Sequence, residues 1–179
     1  MKNIITLLLL LSFSQSFSQY MESSTRRFID DTQFILISKD WNTTAEFYSG
    51  IGEYIKFFPI EVTNLKSNVK EKGLQLDMHI TQPDVYKTAW VGLDEIDEFV
   101  YFLETNVVPN LDVTFKKQSA EYIFKAKEMS FSFLIDEKRK RVSVTLNNYD
   151  EIGLPNYYFW TETQVNKIPE LLAVLKKIK

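Results

Sequence analysis

One imidazole and a neighbouring carboxylate are the only side chains in this sequence that suggest acid–base chemistry by local spacing. Asp77 and His79 stand two apart in Leu74-Gln75-Leu76-Asp77-Met78-His79-Ile80-Thr81. In an extended chain that spacing puts both on one face. With a distant carboxylate they could relay a proton or ligate a metal. A metal site needs three or four ligands, and this pair supplies two. The chain has no cysteine and only this histidine. Disulfides, thiolate nucleophiles, Cys-based metal sites and His-pair sites are therefore excluded, and a Ser-His-Asp triad would have to run through His79.

Other constellations are weaker. Asp94, Glu95, Asp97 and Glu98 crowd a helix start, where the positive end of the dipole explains them without a cation. The glycines at 50, 52, 73, 92 and 153 form no phosphate loop or nucleophile elbow. Spacing assigns no catalytic residue, no metal ligand and no cofactor. A carboxylate- or His79-dependent hydrolase stays as the alternative from another class, because paired carboxylates meet only in the fold.

Two segments suggest binding. Tyr157-Tyr158-Phe159-Trp160 is a run of four aromatics, two on each face of a strand, and an exposed pair would be a contact surface. Lys138-Arg139-Lys140-Arg141 is the strongest basic run and could form a basic surface beside Tyr122, Phe124, Phe131 and Phe133. The net charge of −3 argues against nucleic acid as its partner. The expected partner is a protein or a small apolar ligand.

The elements that position these residues follow from periodicity. Leu74, Leu76, Met78 and Ile80 alternate with polar residues, as a half-buried strand does. Residues 121–127, 129–135 and 141–147 repeat the pattern, with Phe131, Phe133, Ile135, Val142, Val144 and Leu146 inward. Asp136 to Arg139 has hairpin-turn length. Fainter strands are expected at 34–38, 45–48, 53–62, 86–91, 111–116 and 157–161. Pro59 demotes part of 53–62 to an edge or a bulge.

Leu93, Ile96, Phe99, Val100 and Leu103 form one helical stripe, stopped by Asn106 and Pro109. Val165, Ile168, Leu171, Leu172 and Leu175 form another, with Asn166 expected as its cap and Pro169 tolerated in the first turn. The fold class is α+β: mainly antiparallel sheet with two amphipathic helices.

The two helices align without a gap, Leu93–Val100 over Val165–Leu172. Asp94 and Asn166 match as caps, and aromatic strands ending near Trp90 and Trp160 precede them. This suggests two successive units of four or five strands and a helix. In outline the arrangement resembles the whirly-type fold of single-stranded-DNA-binding proteins over most of the chain. The likeness is topological and carried by no motif. It implies single-strand binding as a further alternative and transfers no residue.

Residues 1–18 read as a secretory signal peptide. Lys2 is the basic start, Ile4 to Leu11 the apolar stretch, and Ser16-Phe17-Ser18 the small-x-small cleavage pattern, with Ser14 as second choice. The apolar run is half of what a membrane span needs. Lacking a cysteine, the junction excludes a lipoprotein anchor. The short basic start and Gln19 resemble bacterial export signals. Residues 19–32 are expected to be a flexible leader and 33–179 a single β-rich domain, periplasmic or extracellular. With no disulfide available, an exported domain must hold by packing alone, and an aromatic content of 15% supplies core mass.

Overall fold

The computed structural model describes residues 22–147 and 156–178. Residues 1–18, expected to be a signal peptide, and residues 19–21 of the expected leader lie outside them. Among the described residues nine strands form two antiparallel sheets. The first contains β1 (Ile35–Lys39), β2 (Ala45–Tyr48), β3 (Tyr54–Asn64), β4 (Lys70–Thr81) and β5 (Asp84–Gly92), in the order β1-β3-β4-β5 with β2 also on β3. The second runs β6 (Ala120–Lys125), β7 (Met129–Ile135), β8 (Lys140–Leu146), β9 (Tyr157–Thr161) in sequence order. The α-helices among the described residues are α1 (Ser24–Asp30), α2 (Leu93–Phe102) and α3 (Ile168–Ile178). The α+β reading holds, and each sheet is followed by a helix.

Period-two alternation decides the faces. Ile55 and Phe57 on β3, Leu74, Leu76 and Met78 on β4, and Ala89 and Val91 on β5 share the inner face. They join Phe131, Phe133, Val142, Val144 and Phe159 from the second sheet in one core. Ile96, Phe99, Val100 and Leu103 enter it from the α2 stripe, and Ile168, Leu171, Leu172 and Leu175 from α3. Each fully buried side chain of this size contributes about 1.5–3 kcal/mol, so the core outweighs the missing disulfides. Leu93, expected in the stripe, is exposed at the helix start.

Pro59 sits inside β3, yet its placement obeys the edge rule. β2 covers β3 up to Phe57, and β1 covers it from Ile60. The Pro59 carbonyl accepts Asp40 N–H at 3.1 Å. In an antiparallel strand the N and O of one residue point the same way. The Pro59 nitrogen therefore faces the gap between β1 and β2, where no ladder bond is lost.

Four expectations need correction. First, residues 24–30 of the supposed leader form α1, whose N-cap Ser23 accepts Arg26 N–H at 3.1 Å. Its helical period is hidden because one short helix shows only Phe28 and Ile29. These pack with Ile35, Ile37 and Trp90 on Phe58, Ile60 and Val62, the outer face of the first sheet. Second, residues 111–116 form no strand. After Pro109 the amides of Leu111 and Val113 bond back to Val108 and Asn110, so turns take the groups a ladder would use. Third, α2 does not stop at Asn106. It passes into a π-helical turn, Leu103–Val107, and a 3-10 turn, Val108–Asn110, which accommodates Pro109. Fourth, the caps differ: Gly92 is the N-cap of α2, and Asn166 lies within a 3-10 turn, Val165–Lys167, ahead of α3.

Gly73 and Gly92 face each other across β4 and β5. A Cβ on Gly73 would lie 2.4 Å from Thr25 Oγ1, and one on Gly92 would lie 2.2 Å from Ser24 Oγ. The glycine pair is a hollow in the sheet that seats the first turn of α1. Glu128, fully buried between β6 and β7, locks that seat. Its carboxylate accepts from Ser23 N (3.2 Å), Ser23 Oγ (2.6 Å), Arg26 Nη2 (2.9 Å) and Trp90 N (3.1 Å). Four donors, one of them charged, are what a carboxylate needs to stay buried.

Candidate functional site: the open outer face of the first sheet

The register of β2, β3, β4 and β5 sets four rings side by side on the outer face, beyond the cover of α1. Tyr48 opposes Tyr54, Tyr54 opposes His79, and His79 opposes Tyr86. Ring centroids are 6.0, 5.3 and 4.2 Å apart along the row, and His79 stacks nearly flat on Tyr86 with 14° between planes. Close ring contacts of this kind are favourable beyond their burial. Tyr86 ends the row and is 68% exposed.

A charged row runs alongside. Glu46 opposes Lys56, Lys56 opposes Asp77, and Asp77 opposes Thr88. Lys56 Nζ lies 3.2 Å from Glu46, and Lys39 Nζ lies 3.2 Å from Asp77. Asp77 also accepts from Gln75 Nε2 (2.6 Å) and Thr88 Oγ1 (2.9 Å). The Tyr48 hydroxyl donates to Glu46. That bond pushes the Tyr48 phenol above its usual value and, with Lys56, holds Glu46 below the usual carboxylate range. Burial works against the charge on Lys56, but its bond to Glu46 outweighs this and keeps the ammonium pKa raised. Between the rows lies a shallow hollow of about 280 Å³ lined by Lys39, Tyr54, Gln75, Asp77, Tyr86 and Thr88. Trp41, edge-on to Phe58 at 4.9 Å, extends the aromatic surface past Lys39.

Asp77 and His79 share this face as their spacing requires, but they do not act on one another. His79 Nε2 meets Asp84 Oδ1 at 2.8 Å, while Asp77 is engaged by Lys39, Gln75 and Thr88. Among the described residues no group of three His, Asp or Glu is placed to hold a metal ion. The acidic helix start is likewise used internally. Glu95 bonds Lys127 N (2.7 Å) and Gly92 N (3.4 Å), and Asp94 bonds Lys127 Nζ (2.6 Å) and Ser24 Oγ (2.9 Å). Burial raises the Glu95 pKa despite these donors.

The aromatic run of β9 lies on the other sheet, apart from this row. Phe159 is buried in the core and Tyr157 half-buried, while Tyr158 (46% exposed) and Trp160 (41% exposed) point outward. The Arg141 guanidinium covers the Trp160 ring at 4.5 Å. The basic run is largely neutralised. Arg139 bonds Asp136 at 2.7 Å, Arg141 bonds Glu162 at 2.7 Å, and Lys140 donates to the Leu111 carbonyl. Lys138 sits in the exposed turn that Asp136 closes by accepting Lys138 N and Arg139 N. Hydrogen bonding to Arg139 draws the Asp136 pKa down to about 2.

Sequence reasoning missed the Tyr48–Tyr54–His79–Tyr86 row. Each ring sits on the polar side of an alternating strand, and only the register of four strands brings them together. Among the described residues no helix is long and apolar enough to cross a membrane. No protein-family model matches the chain, and no curated protein matches it either.

Proposed function

We propose that the chain is an exported, non-enzymatic domain that binds a protein partner through the outer face of its first sheet. The observation that carries this reading is the row Tyr48, Tyr54, His79 and Tyr86, exposed at its two ends and half-buried between them, beside paired charges. Tyrosine gives large, rigid, amphipathic contact area at low entropic cost, which is why it is enriched at the centres of protein interfaces. Glu46–Lys56 and Lys39–Asp77 supply a polar margin whose charges are already compensated. A face of this chemistry favours a protein over an apolar small molecule, which would need an enclosed pocket.

Peptides selected from a random display library on the immobilised protein test the reading. The expected binders lose more than about tenfold in affinity on Tyr54→Ala or Tyr86→Ala and keep it on Trp160→Ala. Binders indifferent to both tyrosines would overturn it. Export rests on the sequence of residues 1–18. N-terminal sequencing of the secreted protein checks it, and a secreted chain still beginning at Met1 would refute cleavage.

A further inference from the structure

The bond directions fixed by Pro59 propagate across the first sheet. Since odd residues of β3 face β1 and β2, its even residues bond to β4, and odd residues of β4 face β3. Even residues of β4 therefore bond to Val85, Lys87, Ala89 and Val91 of β5. The N–H and C=O groups of Asp84, Tyr86, Thr88, Trp90 and Gly92 point away from the sheet. Two carboxylates confirm the direction, because Trp90 N–H donates to Glu128 and Gly92 N–H to Glu95.

β5 ends its sheet. Glu128 and Glu95 thus blunt the last part of an exposed edge, as sheets must do to avoid adventitious pairing. They leave open Asp84, Tyr86 and Thr88, whose side chains are exposed and whose outward backbone groups meet no partner among the described residues.

We propose that this open stretch is a self-association edge, and that its occupant is β5 of a second copy, added antiparallel about a two-fold axis at Tyr86. The surface lies at the edge rather than on the aromatic face, so the proposal stands apart from the partner-binding reading.

Three observations select a second copy. The open stretch is centred on Tyr86, so the two-fold pairs Tyr86 with Tyr86 and Asp84 with Thr88 of the second copy, each pair exchanging two backbone bonds. No like charges oppose, since Asp84 meets a hydroxyl and Val85 meets Lys87. Finally, Tyr86 terminates the aromatic row on each copy. Directly opposed residues in such a pair sit about 5.5 Å apart, close enough for the two rows to join into one continuous band. A C2 contact of this kind is the commonest symmetry of homo-oligomers.

Light scattering and sedimentation of the purified chain, from about 10 µM to about 1 mM, read the outcome. The expected result is a mass rising with concentration toward twice the monomer. Thr88→Asp places a carboxylate opposite Asp84 of the second copy, twice per dimer. It should weaken association by about 2- to 30-fold, and Thr88→Lys should strengthen it by a similar factor. The opposite signs separate the contact from a folding defect, which would weaken both. A monomer across the whole range overturns the proposal. So does a dimer whose affinity ignores both substitutions, since it would form elsewhere.

Discussion

Glu128 holds the backbone N–H of Trp90 at 3.1 Å with the carboxylate oxygen that also takes Arg26 at 2.9 Å. One buried carboxylate therefore joins the rim of the first sheet, helix α1 and the β6–β7 turn. Removing it takes the carboxylate from a half-buried guanidinium and leaves two backbone donors unpaired. Glu128→Ala should cost about 3–5 kcal/mol, read as a shift in the urea midpoint. Ser23→Ala, which removes the cap hydroxyl and with it one of the four donors to Glu128, should cost about 1.5–3 kcal/mol.

The seat of α1 predicts a non-additive pair. Gly73→Ala drives a methyl into Thr25 and should destabilise by about 1–3 kcal/mol. Thr25→Ala removes two of the three nearest obstacles, Oγ1 at 2.4 Å and Cγ2 at 3.2 Å, and leaves the Val91 carbonyl at 3.1 Å. The double variant should recover part of the loss in a double-mutant cycle. Additive costs would show that helix and glycine do not touch.

Proline tests the bond directions in β5. Ala89 N–H serves the ladder to β4 and Thr88 N–H does not. Ala89→Pro should cost about 3 kcal/mol or more, while Thr88→Pro stays within about 1 kcal/mol apart from its lost bond to Asp77. Amide exchange on dilute protein gives the same answer without mutation: Val85, Lys87 and Ala89 protected, Tyr86 and Thr88 fast.

Two carboxylates give opposite pH signatures. Asp136, held down to about 2, favours the folded state above the unfolded value of about 3.9, and that contribution is lost as pH falls toward 2. Carbon-detected NMR should show its midpoint near 2, returning toward 3.9 in Arg139→Ala. Glu95 is raised by burial, so its contribution is present at low pH and lost as pH rises through the folded value. Glu95→Gln should flatten that part of the stability–pH curve.

Much of this fold is legible in the chain. β4, β7 and β8 alternate without interruption, and the stripes of α2 and α3 appear at helical spacing, because each pattern is local. Pro59 was readable as an edge signal, although which edge required the positions of β1 and β2. The candidate site was not readable. Tyr48, Tyr54 and Tyr86 look like incidental polar-face residues until register aligns them with His79. Glu128 looks like a surface residue beside Lys127, because its partner Ser23 lies 105 positions away. Helix α1 was hidden for the same reason, since its stability comes from Gly73, Gly92 and Trp90 rather than from its own seven residues.

That separation has a consequence for synthesis. Ser23 and Arg26 leave the ribosome long before Glu128, so α1 can reach its glycine seat on the first sheet before the carboxylate that locks it there exists. The earliest part of the described chain is thus locked only by a residue made after the whole first sheet. The four hydrogen bonds to Glu128 can close only after more than two thirds of the polypeptide has been translated.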